Sequence, residues 1–314
     1  MKTAPRPIRV PSLPLRDEAK AGRSLRRLCA KMLLVGALGV AGLSLSACER
    51  PEDQALFRAV HEGRAEEILR LIDEGADVNA RDAAFWSTPL HAAARDGDTA
   101  IAGLLIDKGA DVDAMDGNGH SPLCLAAALG HAETARLLVD RGASVKEDEA
   151  CWEENPLHHA GDPLRAAASG GYTDTILLLL ECSARVNEPG LGGDTALHAA
   201  ARRGHVQAAR VLLEHGADTE AVGQGSCLFT PLHEAARHGH AELVRLLLEH
   251  GARVNARSGT GRTALHLAAE EGHADVVRVL VASGADVSIR DGRGKTAADR
   301  ARSEGEGACA ELLR

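Results

Sequence analysis

An all-α solenoid is the fold class this sequence predicts. Three observations predict it: a tract that returns about every 33 residues, glycines on a fixed grid within each return, and a composition rich in small aliphatics. The tract is Thr88-Pro89-Leu90-His91-Ala92-Ala93-Ala94, and versions of it begin at Ser121, Asp162, Thr195, Thr230, Thr263 and Thr296, at spacings of 33, 41, 33, 35, 33 and 33. Nine residues after each start stands a glycine (97, 130, 171, 204, 239, 272, 305), and seventeen after it a leucine (105, 138, 179, 212, 247, 280, 313). Glycine returns twenty-one after the start at 109, 142, 216, 251 and 284, with Ser183 as the one departure. An earlier, eighth copy starts at Gln54, with Gly63, Leu71 and Gly75 on the same grid. The 314 residues hold 33 Gly but only six Phe, Tyr or Trp, which excludes a core packed around rings. A hydrophobic content of 45% excludes a disordered chain.

The chain opens on an address. Residues 1–47 carry nine Lys/Arg against two Asp/Glu, and Arg23, Arg26, Arg27 and Lys31 precede an uncharged run over 32–47. Sixteen residues is short of the roughly 20 a spanning helix needs. A positive flank, an apolar stretch and small residues before a cut site are the pattern of a secretory signal. The run closes on Leu45-Ser46-Ala47-Cys48, which resembles the bacterial lipobox. That resemblance implies a signal peptide over 1–47, lipidation of Cys48, and a short linker over 48–53. An uncleaved anchor with Cys48 as a bystander is the competing reading. Arg26-Arg27 also resembles a twin-arginine signal, but Cys29 and Ala30 stand where an apolar pair is expected.

Each later unit reads as helix, turn, helix, loop. Thr, Ser or Asp at the start suits a helix N-cap, because the side-chain oxygen accepts from a free backbone N–H of the first turn. Pro89, Pro122, Pro163 and Pro231 follow at the first helical position, where a missing N–H costs nothing. The glycine nine residues on suits the left-handed turn that ends a short helix. Ala-Ala pairs such as 93/94 and 268/269 let neighbouring helices approach closely, and a second helix with an inner Leu/Val face (Val244, Leu247, Leu248) follows. An Asp/Gly-rich turn then leads into the next unit.

Helix–turn–helix–loop at this period, with T-P-L-H-x-A-A, resembles the ankyrin repeat. The resemblance runs from about Gln54 to Arg314. It implies a stack with projecting fingers, a concave face made by fingers and first helices, and a protein-binding rather than catalytic role. The grid divides the body into an N-terminal capping repeat at 54–85, repeats at 86–118 and 119–147, an inserted acidic loop at 148–160, repeats at 161–191, 192–224, 228–260 and 261–293, and a C-terminal capping half-repeat at 294–314. The 41-residue spacing places Glu147-Asp148-Glu149-Ala150-Cys151-Trp152-Glu153-Glu154-Asn155 in a finger, and the 35-residue spacing adds two residues ahead of Thr230. Insertions in solenoids go to loops, often on the binding face.

No catalytic or ligand-binding constellation assembles in the sequence. Four of the 15 His (His91, His198, His233, His266) occupy the T-P-L-H position and four (His131, His205, His240, His273) follow the mid-repeat glycine, so both sets read as structural. Thr88, Gly97, Thr195, Thr230 and Thr263 belong to the same structural grid. In the family the T-P-L-H imidazole ties adjacent turns by hydrogen bonds. His158-His159 beside Cys151 and Glu153 lacks the paired short spacings of a zinc site. His233-Glu234 opens like a zinc-protease helix, but position 237 is Arg. Gly294-Lys295-Thr296 resembles the end of a phosphate loop whose required earlier glycine is Ile289. The expectations are therefore no enzyme activity, no metal and no cofactor. A Cys124–Cys151 bridge and free thiols both stay open.

Binding residues are expected on the fingers and the concave face. Phe85, Trp86, Trp152 and Phe229 lie in finger segments, where rings concentrate binding energy or, alternatively, pack under the finger. Leu125, Leu129, Glu234 and Leu267 fall on first-helix positions that the repeat leaves variable. Beyond residue 47 the chain holds 27 basic and 43 acidic residues, which argues against nucleic acid or anionic lipid as its main ligand, and the loop acids Glu147, Asp148, Glu149, Glu153 and Glu154 favour a protein partner with a basic patch. The expectation is a monomeric, lipid-anchored scaffold or stabiliser of an envelope protein. It faces the periplasm from either membrane and touches lipid only through its N-terminus. An immunity-type inhibitor of a toxic secreted enzyme is the competing role.

Overall fold

The computed structural model describes residues 50–145, 162–190, 193–223 and 228–314. Among them are sixteen α-helices and no strand, all within one compact unit, Pro51–Arg314. The helices form eight pairs. The first four are α1 (Pro51–His61) with α2 (Ala65–Asp73), α3 (Pro89–Asp96) with α4 (Thr99–Asp107), α5 (Pro122–Ala128) with α6 (Ala132–Asp140), and α7 (Pro163–Gly170) with α8 (Thr173–Glu181). Then come α9 (Ala196–Arg203) with α10 (Val206–Glu214), α11 (Pro231–Arg237) with α12 (Ala241–Glu249), α13 (Ala264–Glu270) with α14 (Ala274–Ala282), and α15 (Ala297–Glu304) with α16 (Gly307–Leu312). The first helices of successive pairs stack in one row and the second helices from α4 onward in another, so the all-α solenoid is the observed fold. No helix among the described residues is long and apolar enough to cross a membrane.

Two boundaries differ from the sequence expectation. Pro51, Glu52 and Asp53 lie inside α1 rather than in a linker, because proline and two acids suit a helix start and the Asp53 carboxylate accepts from the Asp77 N–H at 2.9 Å. The C-terminal unit is a full helix pair, α15 and α16, and so more than a half-repeat.

The core is a double column of leucines cushioned by alanine. Leu90, Leu123, Leu164, Leu197, Leu232 and Leu265 from the first helices face Leu105, Leu138, Leu179, Leu212, Leu247 and Leu280 from the second, all buried. Between stacked first helices lie fully buried pairs such as Ala93/Ala94 and Ala268/Ala269, which hold the rows close.

Two histidine sets stitch the repeats together. Thr88, Thr195, Thr230 and Thr263 each donate a backbone N–H to Nδ1 of the T-P-L-H imidazole at 3.0–3.2 Å. Nδ1 is therefore the acceptor, which fixes the proton on Nε2. That Nε2–H donates forward to a carbonyl of the next repeat: His120, Phe229, Arg262 or Lys295. The mid-repeat set, His131, His205, His240 and His273, donates backward to carbonyls of Arg95, Ser169, Arg202 and Arg237. Asn79, Asn187 and Asn255 add rungs, accepting from the N–H of Asp111, Asp218 and Asp286. These bonds satisfy groups that a lone repeat would leave open, so stability belongs to the array.

The grid glycines serve two different needs. A Cβ at Gly97 would meet the His131 ring at 2.5 Å and one at Gly204 the His240 ring at 2.5 Å, so there the close approach of a neighbouring repeat demands glycine. The glycines that end the second helices have open space around them and need only a positive φ. Ser183 sits on that second grid with φ 68°, keeping the left-handed turn despite its side chain.

Candidate functional site

The open face of the first-helix row is where a large partner can reach side chains that the core does not consume. The position directly after the T-P-L-H histidine is mostly buried, although Ala166 and Ala199 in that register still border the cleft described below. Ala92 and Ala199 are buried there, Leu267 is 2% exposed, and Glu234 is buried with its carboxylate held by Arg202 at 3.0 Å. The expectation that Glu234 and Leu267 offer side chains on the concave face is thus corrected: both are buried, and Arg202 of the preceding first helix holds the Glu234 carboxylate. Leu125, at the same position, is only partly buried, and Leu129 is 44% exposed. The reachable positions are the two residues before a mid-repeat glycine: Arg95/Asp96, Ala128/Leu129, Ser169/Gly170, Arg202/Arg203, Arg237/His238, Glu270/Glu271 and Ser303/Glu304, all half-buried or exposed. Sequence reading missed most of these. The available signal was their variation in charge and size, next to an Ala-Ala pair that the six inner repeats share.

A cleft of about 580 Å³ opens across the middle of this face. Small residues (Ala128, Ala166, Ser169, Gly170, Ala199) floor it, and Arg165, Arg202, Arg203 and Asp194 wall it. Arg202 bridges Asp194 and Glu234, and the Glu234 bond raises its pKa further, so the cation is permanent and its guanidinium is held in place. Asp162, which caps α7 by accepting from the Leu164 N–H at 2.9 Å, has its pKa raised by burial against the opposing pull of Arg165. His238 lies 3.6 Å from Glu234, and burial lowers its pKa despite that carboxylate. Toward the C-terminus Arg300 clamps Asp291 and reaches Glu270, which also binds Arg262 at 2.8 Å. Burial opposes the Asp291 charge, but bonds from the Lys295 N–H, Arg300 and the Arg293 N–H prevail and hold its pKa at about 2.

The fingers divide the predicted aromatics. Phe85 and Trp86 stand 57% and 51% exposed at the tip of the first finger, beside exposed Ala83 and Ala84. Phe229 is 8% exposed and stacks on the His233 ring at 5.5 Å, with Arg237 over its other neighbourhood at 6.0 Å. It therefore takes the packing alternative. Two residues before the capping Thr or Ser, four fingers carry a glycine with φ 73–78° (Gly119, Gly193, Gly261, Gly294). In two fingers that place belongs to Trp86 (φ 57°) and Leu228 (φ 48°), both left-handed and both substantially exposed. Trp152, Cys151, His158, His159 and Cys48 lie outside the described residues. Cys124 is buried.

The T-P-L-H histidines are neutral hydrogen-bond bridges, and burial lowers the pKa of all four. Among the described residues no three His, Cys, Asp or Glu are grouped to hold a metal.

A family model described as ankyrin repeats (3 copies) matches residues 56–149, 146–223, 164–258, 221–291 and 256–314. The chain is 32% identical over 166 residues, 52% of its length, to the nuclear factor NF-kappa-B p105 subunit of Gallus gallus. It is 39% identical over 64 residues, 20% of its length, to protein phosphatase 1 regulatory subunit 12A of both Mus musculus and Rattus norvegicus. The matched region is 16% of the first relative and 6% of the other two, so only their repeats are shared. The capped helix pairs, the stitched histidines and the family match agree: this chain belongs to the ankyrin-repeat family, whose repeats bind other proteins.

Proposed function

We propose that this protein is a lipid-tethered scaffold of the bacterial cell envelope that binds another envelope protein across its first-helix face. The observation that carries the reading is the cleft between α5 and α9, a small-residue floor walled by held arginines and continuous with exposed Leu129. Such a face offers both close approach and directional polar contacts, the combination that protein interfaces use. The lipobox tetrapeptide supports the tether, and the acidic charge beyond residue 47 supports a partner with a basic patch.

The test is mild crosslinking and capture of the full-length protein from its own cells, beside Leu129→Asp/Arg203→Glu. Both substituted side chains are exposed, so the fold should be unchanged. One stoichiometric protein lost from the variant is expected. Equal capture by a folded variant would move the site elsewhere. Cys48→Ser should release the chain into the soluble fraction, and retention on the membrane would favour an uncleaved anchor.

A further inference from the structure

We propose that the tip of the first finger, Ala83-Ala84-Phe85-Trp86, docks on the same lipid bilayer that holds Cys48, with its two rings at the headgroup boundary. The inference rests on the lipid-tether reading above and adds a second, non-covalent contact to it.

Chain length places a bilayer beside this finger. Three residues lead from Cys48 to Pro51, a reach of about 11 Å at most. α1 starts twelve residues before its grid glycine, Gly63, whereas α3, α5, α7, α9, α11, α13 and α15 each start eight before theirs. The extra turn extends α1 on the finger side of the row, since each later first helix begins directly after a finger. Asp53, inside that turn, accepts from the N–H of Asp77 at the base of the first finger. A lipid on Cys48 would therefore be tied to the end of the stack that carries the first finger.

The tip is built for a lipid interface and differs from its neighbours. The second, sixth and seventh fingers end in Gly117-Asn118-Gly119, Gly259-Thr260-Gly261 and Gly292-Arg293-Gly294. The first has two alanines and two large rings there, with one residue more between its Asp82 and Thr88 than lies between Asp116 and Ser121. The Asp82 carboxylate accepts from the N–H of Ala84 and Phe85, and residues 83–86 themselves carry no acid. Arg81 lies over the Trp86 ring at 6.0 Å and bonds the carbonyls of Trp86 and Met115, which fixes a cation beside the indole. Trp86 holds a left-handed conformation where four other fingers use glycine, a strained choice that keeps an indole exposed. Tryptophan at a lipid boundary buries its ring while its N–H stays in the polar layer.

Trp86 and Trp152 are the two tryptophans of the chain, so Trp152→Phe makes indole emission report on Trp86 alone. The full-length lipidated protein would be reconstituted into phosphatidylethanolamine/phosphatidylglycerol vesicles, with or without bromine high on the acyl chains, and floated on a gradient. Docking predicts that floated protein loses about half or more of its Trp86 emission to bromine, because an interfacial ring sits at the headgroup–acyl boundary. Phe85→Ala should lessen the quenching while flotation continues through the lipid. Flotation with unquenched Trp86 overturns the docking, leaves the tether standing, and returns Phe85 and Trp86 to a protein partner. Failure to float refutes the tether, and the docking with it.

Discussion

The first and fifth fingers carry the same kind of residue to opposite ends. Both lead into Thr-Pro-Leu-His, and both hold a bulky apolar residue in a left-handed conformation two places before the threonine, Trp86 and Leu228. One place before it, Ser87 and Phe229 are both buried, whatever their polarity. The difference lies in which place the aromatic occupies. At the last residue of the finger a side chain is turned beneath it onto the capping histidine, as Phe229 is onto His233. One residue earlier the side chain points away, as Trp86 does. Register against the cap, more than hydrophobicity, decides whether a ring builds the repeat or faces outward.

Substitution of the two rings should separate these roles most sharply. Phe229→Ala removes a buried ring and should cost about 3 kcal/mol in urea unfolding, at the low end for buried Phe because one flank is near the surface. Phe85→Ala/Trp86→Ala should stay within about 0.5 kcal/mol, as exposed substitutions do. Equal losses would mean that the exposed tip is structural.

The next fingers probe the same contrast. A Cβ at Gly117 would meet the Phe85 carbonyl oxygen at 2.9 Å, a backbone atom, and the Gly117 N–H also bonds that oxygen at 2.7 Å. A Cβ at Gly259 would meet the Leu228 side chain, from Cδ1 at 3.0 Å to Cβ at 3.3 Å, and no backbone atom, so most of that contact can yield. Gly117→Ala should therefore destabilise by about 1–2 kcal/mol, in the ordinary range for strain against fixed neighbours, and Gly259→Ala by less. Smaller still, Trp86→Gly and Leu228→Gly should each stabilise the fold by up to about 1 kcal/mol, relieving the left-handed strain against a small entropy loss. A loss of stability instead would show that the side chains contribute packing.

The finest probe is titration. Burial lowers the pKa of His233 and of His91 below the ordinary 6.5. Above 6.5 these imidazoles are neutral in folded and unfolded chains alike, so that stability is fully present. As pH falls below 6.5 the unfolded chain takes up protons that the folded chain refuses, and stability is lost down to the lowered folded values. Phe229→Ala should move the His233 titration, followed by NMR, back toward 6.5. Phe85→Ala/Trp86→Ala should leave that of His91 unmoved.

Much of this was readable in the sequence, and the reason is physical. A 33-residue unit repeated in near register imposes one set of caps, turns and close approaches, so Thr88, His91 and Gly97 each announce their place. Ser183 keeps a left-handed φ because its neighbours impose it, even where the residue type argues otherwise. What stayed hidden depends on the neighbouring repeat rather than on the unit itself. The burial of Glu234 and Leu267 follows from the helix stacked beside them, and the start of α1 at Pro51 from its bond to the next loop. The side taken by Phe229 is set by a one-residue register that composition does not carry.

Amide hydrogen exchange of the captured complex against the protein alone tests the binding face most directly. The account predicts new protection along α5, α7 and α9, whose residues line the cleft, with exchange in α4, α6, α8 and α10 unchanged. Protection confined to those second helices would contradict it.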